Sequence, residues 1–259
     1  MKIPIYQIDA FTDRLFSGNP AAVCPLEEWP EDELLQSIAA ENNLSETAFF
    51  IPNNNEYDLR WFTPATEVDL CGHATLATAH LIMNILEPER QAAVFNTKSG
   101  KLEVTKSGNS LVMRFPVYKP VKCEAPELLI RGLRHPPVEV YCARDYVAVY
   151  ETEGEVKALQ PDFEILKRLD LSGVMATAPG KESDFVSRFF APKEGINEDP
   201  VTGSAHCTLA PFWAKRLGKA SLSARQISAR GGELSCEIQG EQLLIRGKAV
   251  LFLEGTLMI

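Results

Sequence analysis

The chain predicts an α+β fold of two similar, pseudo-symmetric lobes, each a curled and mostly antiparallel sheet or barrel around one central helix. Three observations predict it. Residues 60–80, RWFTPATEVDLCGHATLATAH, and residues 188–210, RFFAPKEGINEDPVTGSAHCTLA, spell one plan twice: a short strand, a polar turn, a glycine and a helix of small residues. The matches also keep their order and spacing. Arg60/Arg188, Phe62/Phe190 and Pro64/Pro192 are 128 positions apart and Gly72/Gly203 are 131 apart. Gly100/Gly232, Leu102/Leu234, Gly108/Gly240, Leu111/Leu243 and Arg114/Arg246 are 132 apart, about half of the 259 residues. A period that long reads as an internal duplication, not as a solenoid. The third observation is the rest of the chain, which breaks into many short strand-like pieces; sheets with so many strands curl or close around what they bury.

Each element has its local reason. Residues 3–10 alternate as a strand, and Ser17-Gly18-Asn19-Pro20 turns it into a hairpin with residues 21–24. Trp29-Pro30-Glu31-Asp32 opens a helix with Leu34, Leu35 and Ile38 on one face, and Asn42-Asn43 ends it. Residues 45–51, SETAFFI, make a strand with one charge, Glu46, and residues 57–63 make the next. After the helix begun by Gly72, strands fall at 93–96, 101–105 and 110–116. Residues 117–136 form a proline-bearing crossover with a short helix near 126–132. The expected lobes are therefore 1–117 and 118–259, with the last strand crossing back to the first lobe. The second half predicts strands at 138–142 and 146–150, a helix near 162–169, and strands at 173–178 and 184–191. Beyond the helix begun by Gly203, strands are expected at 226–228, 233–238, 242–247 and 249–253.

Composition narrows the function. A formal charge of −9 and a pI near 5.1 argue against nucleic acid and anionic membrane, both of which want a basic face. No apolar run approaches the roughly 18 residues of a membrane span, and MKIPIYQIDAF alternates like a strand without a signal-peptide core. Cys24, Cys71, Cys123, Cys142, Cys207 and Cys236 form no C-x-x-C pair, so the expectation is a soluble, reduced, cytoplasmic protein. His73 and His80 are seven apart, His135 and His206 lack matching ligands, and no phosphate loop or dinucleotide fingerprint appears. Neither a metal nor a cofactor is expected.

What remains is anion binding. Helix starts present unpaired N–H groups and partial positive charge, and Gly72 and Gly203 each open a helix after an acidic turn. Two such starts would grip a small anionic substrate, with His73 and Ser204 beside them. Glu46, followed by Ala48, Phe49 and Phe50, has the apolar surroundings that suit a proton shuttle.

IDAFTDRLFSGNPAAV at 8–23, NLSETAFF at 43–50, DLCGHATLATAH at 69–80, RFFAPKEGINEDPVTGSAH at 188–206 and SARGGEL at 228–234 together resemble the phenazine-biosynthesis PhzF-like family. The resemblance spans essentially the whole chain. It implies the diaminopimelate-epimerase-like fold, an active site between two lobes, a homodimer, and cofactor-free isomerisation by moving a proton along an allylic system. It further implies that Glu46 is the general acid/base and that His73 and Asp199 share in catalysis. Asn19, Gly72, His73, Gly203 and Ser204 would bind substrate. The related epimerases of this fold use one thiol at each helix start; here Cys71 holds the first place but Thr202 the second, and a hydroxyl is too weak a base to replace a thiolate. Two alternatives stand beside the isomerase: an amino-acid racemase or epimerase using Glu46 with Cys71, and a non-catalytic small-ligand-binding protein on the same scaffold.

Overall fold

Alternating apolar residues at the start form β1 (Lys2–Ala10), which turns back into the antiparallel β2 (Asn19–Pro25). Gly18 makes that turn possible. Its φ is +69°, and a Cβ there would lie 2.2 Å from the Ala10 carbonyl oxygen. α1 (Asp32–Asn42) carries Asp32 and Glu33 at its positive end and stops at Asn43, a left-handed residue. β3 (Glu46–Asn53) runs parallel to β2 and antiparallel to β4 (Glu56–Phe62), which also pairs with the short β5 (Glu67–Val68). α2 (Gly72–His80) buries every residue from 73 to 79, because its small side chains make a slim rod that neighbours can surround. It continues as a π-helical turn, Leu81–Leu86, which nothing in the sequence pattern announced. β6 (Ala92–Thr97), β7 (Gly100–Ser107) and β8 (Ser110–Pro116) form an antiparallel meander, with β6 parallel to β4.

Beyond β8 come β9 (Val121–Lys122), α3 (Glu127–Leu133), β10 (Glu139–Cys142), β11 (Tyr146–Val149), α4 (Glu153–Ala158) and α5 (Phe163–Leu166). They are followed by β12 (Val174–Pro179), β13 (Phe185–Ala191), β14 (Ile196–Asp199), α6 (Gly203–Leu217), β15 (Ser221–Gln226), β16 (Gly232–Gln239) and β17 (Gln242–Gly247). The last strand, β18 (Ala249–Met258), pairs antiparallel with β1. This computed structural model describes all 259 residues and divides into two units, Met1–Arg114 with Arg246–Ile259, and Phe115–Ile245. The class is α+β. Each unit is mostly antiparallel with two parallel pairings: β2/β3 and β4/β6 in the first, β11/β12 and β13/β15 in the second.

Several expectations need correction. The strand expected at 226–228 lies earlier, as β15, and only Gln226 belongs to it. The helix expected at 162–169 shrinks to the four residues of α5, capped by the Asp162 side chain. α4 was not expected at all, although its signal was there. Thr152 accepts from the Glu155 N–H while the Glu155 carboxylate accepts from the Thr152 N–H, a reciprocal cap. β9 and β14 were also missed; β9 has only two residues, and β14 has four broken by a register shift.

Two packing details fix α6. Pro211 in its middle has no N–H, which frees the Cys207 carbonyl, and the Tyr118 N–H donates to it at 2.9 Å. His206, fully buried, donates from Nδ1 to the Thr202 carbonyl at 2.8 Å, and Trp213 Nε1 donates to Thr177 Oγ1 at 2.9 Å. No helix is long and apolar enough to cross a membrane.

Candidate active site

In the first unit, Glu46 opens β3 and His73 is the second residue of α2. Their side chains meet: His73 Nε2 lies 3.1 Å from Glu46 Oε2, with side-chain exposures of 7% and 13%. Both atoms are buried and neither makes a hydrogen bond within the protein, so the contact is an ion-pair approach. On the other edge of the ring, His73 Nδ1 lies 3.2 Å from the Asn19 amide nitrogen and 3.5 Å from Cys71 Sγ. Asn19, at the start of β2, is fully buried, so its side chain acts on His73. The Asn19 amide and the Cys71 sulfur both face Nδ1, which leaves Nε2 to face the carboxylate.

The electrostatics are local. Burial alone would lower the pKa of His73, but the charges and hydrogen bonds of Cys71 and Glu46 outweigh it and hold the imidazole well above its ordinary value. Burial pushes the Cys71 thiol up, and Glu46 adds to that. Burial thus disfavours the Cys71 thiolate, while the contacts of Cys71 and Glu46 favour a proton on the imidazole.

Glu46, Cys71 and His73 each bring a potential metal-ligand atom to within 4.8 Å of the others, a cluster the sequence spacing did not suggest. The imidazole meets the carboxylate with one nitrogen and the thiol with the other. The ring thus touches both the carboxylate and the thiol.

The second unit has its own helix start. Asp199 closes β14, is 9% exposed, and its Oδ2 accepts from Thr202 Oγ1. Thr202 is the residue just before α6, as Cys71 is just before α2. Ser204 is exposed in the first turn of α6, so it does not act as the cap that its residue type suggested. Gln226 is the residue that sequence reasoning missed. It is 1% exposed, donates from Nε2 to the Asp199 carbonyl at 2.6 Å and to Thr202 Oγ1 at 3.2 Å, and accepts the Thr202 N–H at 2.8 Å. A signal existed: Leu222, Ala224 and Gln226 are the inward positions of an alternating strand, and a glutamine at the third must find buried partners.

An arginine fork braces the turn before each helix. Arg60 on β4 donates to both oxygens of Glu67 on β5, at 2.7 and 3.0 Å. Arg188 on β13 grips Glu198 on β14 in the same way, at 2.7 and 2.8 Å.

The profile of the phenazine biosynthesis-like (PhzC-PhzF) family matches residues 8–255. The chain is 52% identical over 257 residues, 99% of each sequence, to a Pseudomonas aeruginosa protein named an uncharacterized isomerase. Its structure is similar to the crystal structure of a PhzF-family phenazine biosynthesis protein from Enterococcus faecalis, with TM-score 0.97, 46% identity and 100% of both chains covered. A predicted epimerase from Pseudomonas aeruginosa shares the fold, at TM-score 0.74 and 18% identity over 99% of each chain.

Proposed function

Because the chain belongs to the phenazine biosynthesis-like PhzC-PhzF family, we propose that it is a cofactor-independent isomerase of a small carboxylate-bearing substrate, with Glu46 as general acid/base. The observation that carries this reading is the Glu46–His73 pair, 3.1 Å apart and shielded from bulk water. Glu46 takes a proton from a substrate carbon and becomes the carboxylic acid. It then returns that proton to another carbon of the same skeleton as the double bond moves, so the substrate neither gains nor loses atoms. The His73 Nε2 contact holds the carboxylate in place and favours its charged form before the first transfer and after the second. Asn19 positions His73. The roles proposed for Gly72, Gly203, Ser204 and Asp199 are substrate-holding ones, and the exposed Ser204 hydroxyl in the first turn of α6 suits a carboxylate. Family membership also suggests a homodimer, which sedimentation would check.

The test is solvent proton exchange. The protein and a Glu46→Gln variant are incubated in heavy water with a panel of small amino and hydroxy carboxylic acids, cyclic dienes included, and read by mass spectrometry. Deuterium uptake with the native protein alone is the expected result. Binding of a panel member, seen as thermal protection, without exchange by either protein would favour the ligand-binding scaffold.

One observation favours a second reading. Cys71 Sγ lies 3.5 Å from His73 Nδ1, which connects the thiol to Glu46 through the ring and suits a racemase using both groups. Burial pushes that thiol up, which weakens it as a base and leaves the proton-shift reading ahead.

A further inference from the structure

Away from the groups above, the second unit brings two thiols together. In the β9/β10 pairing, Cys142 lies opposite Val121 and Tyr141 opposite Lys122. The Cys123 N–H then donates to the Val140 carbonyl at 3.1 Å, carrying the ladder one residue past the end of β9. Cys123 is thus across from Val140, and Cys142 is two positions along β10 on the same face. Both side chains pack on the apolar cluster that includes Leu129, Leu133 and Tyr146, and both are half-buried. The register makes the two side chains diagonal cross-strand neighbours. Cys24, Cys71, Cys207 and Cys236, in contrast, are buried.

We propose that Cys123 and Cys142 form a reversible oxidation site that closes to an intramolecular disulfide by exchange with a low-molecular-weight disulfide such as oxidised glutathione. The Cys142 thiolate attacks one sulfur of the small disulfide, forming a mixed disulfide and expelling one glutathione thiolate. Cys123 then gives its proton to solvent and attacks the Cys142 sulfur, forming the protein disulfide and expelling the second glutathione thiolate. Two protein thiols are oxidised and one small disulfide is reduced to two thiols. The order follows from burial, which with the Cys142 contact pushes the Cys123 thiol up to about 11 and makes it a poor first attacker.

Diagonal neighbours in an antiparallel pair stand about 7–8 Å apart at Cα, just beyond the reach of a disulfide without backbone movement. Closure therefore draws β9 toward β10. β9 can follow: it has two residues, both exposed. The link would tie the crossover segment at 117–126 to the sheet across the loop that contains α3, and a bridge closed by such movement is readily reduced again.

The experiment needs no substrate. The native protein is equilibrated with oxidised glutathione, remaining thiols are alkylated, and the digest is read by mass spectrometry with and without reductant. The expected result is one reducible link joining the peptides of Cys123 and Cys142, a higher melting temperature than the reduced protein, and alkylation of the other four cysteines only after denaturation. Cys142→Ser should abolish the link and leave Cys123 without an internal partner. Cys123→Ser should instead trap the mixed disulfide on Cys142, which keeps the test open if one variant folds poorly. Separate glutathione adducts on the two residues of the native protein, links between two chains, or no modification would each overturn the proposal.

Discussion

α2 and α6 both begin at a glycine, both follow an extended residue (Cys71 at φ −142°, ψ 111° and Thr202 at φ −114°, ψ 98°), and both follow a turn braced by an arginine–glutamate fork. Their contents diverge from there. At the first start a carboxylate from β3 faces an imidazole, whose far edge is contacted by a thiol and an amide. At the second, the carboxylate of Asp199 accepts from a hydroxyl, and Gln226 ties the turn down from β15. The histidines differ in the same sense. His73 is held well above its ordinary pKa by charged neighbours, while burial lowers His206 to about 4. In the proposed function one framework carries a start that moves a proton and another that holds the substrate, a division set by the side chains around each helix.

The largest expected effect sharpens that division. Glu46→Gln should lower the proton-exchange rate at saturating substrate by about a thousandfold, within the usual span for a lost general base. Asp199→Asn should act mainly on apparent affinity, by about tenfold, with the saturated rate little changed. Kinetics on the first substrate found would check both, and equal losses of saturated rate would break the contrast.

Next in size is stability. Gln226→Ala removes the partner of the buried Thr202 N–H, the second bond to Thr202 Oγ1 and the tie to Asp199, and should cost about 3 kcal/mol in urea unfolding. A loss below about 1 kcal/mol would mean that the turn holds its own shape.

Stability against pH should separate the two histidines. His206 is depressed from 6.5 to about 4, so the unfolded chain takes up a proton that the folded protein refuses. Its contribution is full above pH 6.5 and is lost as pH falls toward 4, a loss of roughly 3 kcal/mol. His80, also lowered to about 4, slopes the same way, so the comparison is native protein against His206→Gln. His73 has the opposite sign: its contribution is present below pH 6.5 and is lost as pH rises through its raised value. His73→Gln should flatten the alkaline limb and His206→Gln the acid limb, as read by urea midpoints across pH.

The smallest effect is expected at Cys71. Cys71→Ala should change the exchange rate by only a few fold, because burial disfavours the thiolate and the sulfur touches the edge of the ring away from Glu46. Loss of exchange in that variant would return the racemase reading.

Much of this was readable in advance because it is local. The glycine that opens each small-residue helix, the strand before it and the run from Glu46 to Phe50 are written in adjacent residues, and the family resemblance pointed to Glu46, His73, Asn19 and Asp199. The supporting contacts were not readable. Gln226 reaches Thr202 from 24 positions away in sequence, and Asn19 reaches His73 from 54. Only the fold decides such pairs. α4 is a different kind of miss, since Thr152 and Glu155 carried its start signal but a run of six residues gave no periodicity to confirm it. Ser204 shows the reverse: its residue type suggests a cap, and its place one residue too late denies it that role.

The most direct test of the contrast is nitrogen NMR of isotope-labelled histidines, titrated in the native protein and assigned with His73→Gln and His206→Gln. The prediction is that His73 keeps its second proton well above pH 6.5, while His206 stays neutral with its hydrogen on Nδ1 until the pH nears 4. Two histidines titrating together near their ordinary value would contradict it, because the first helix start would then hold no charged pair to set it apart from the second.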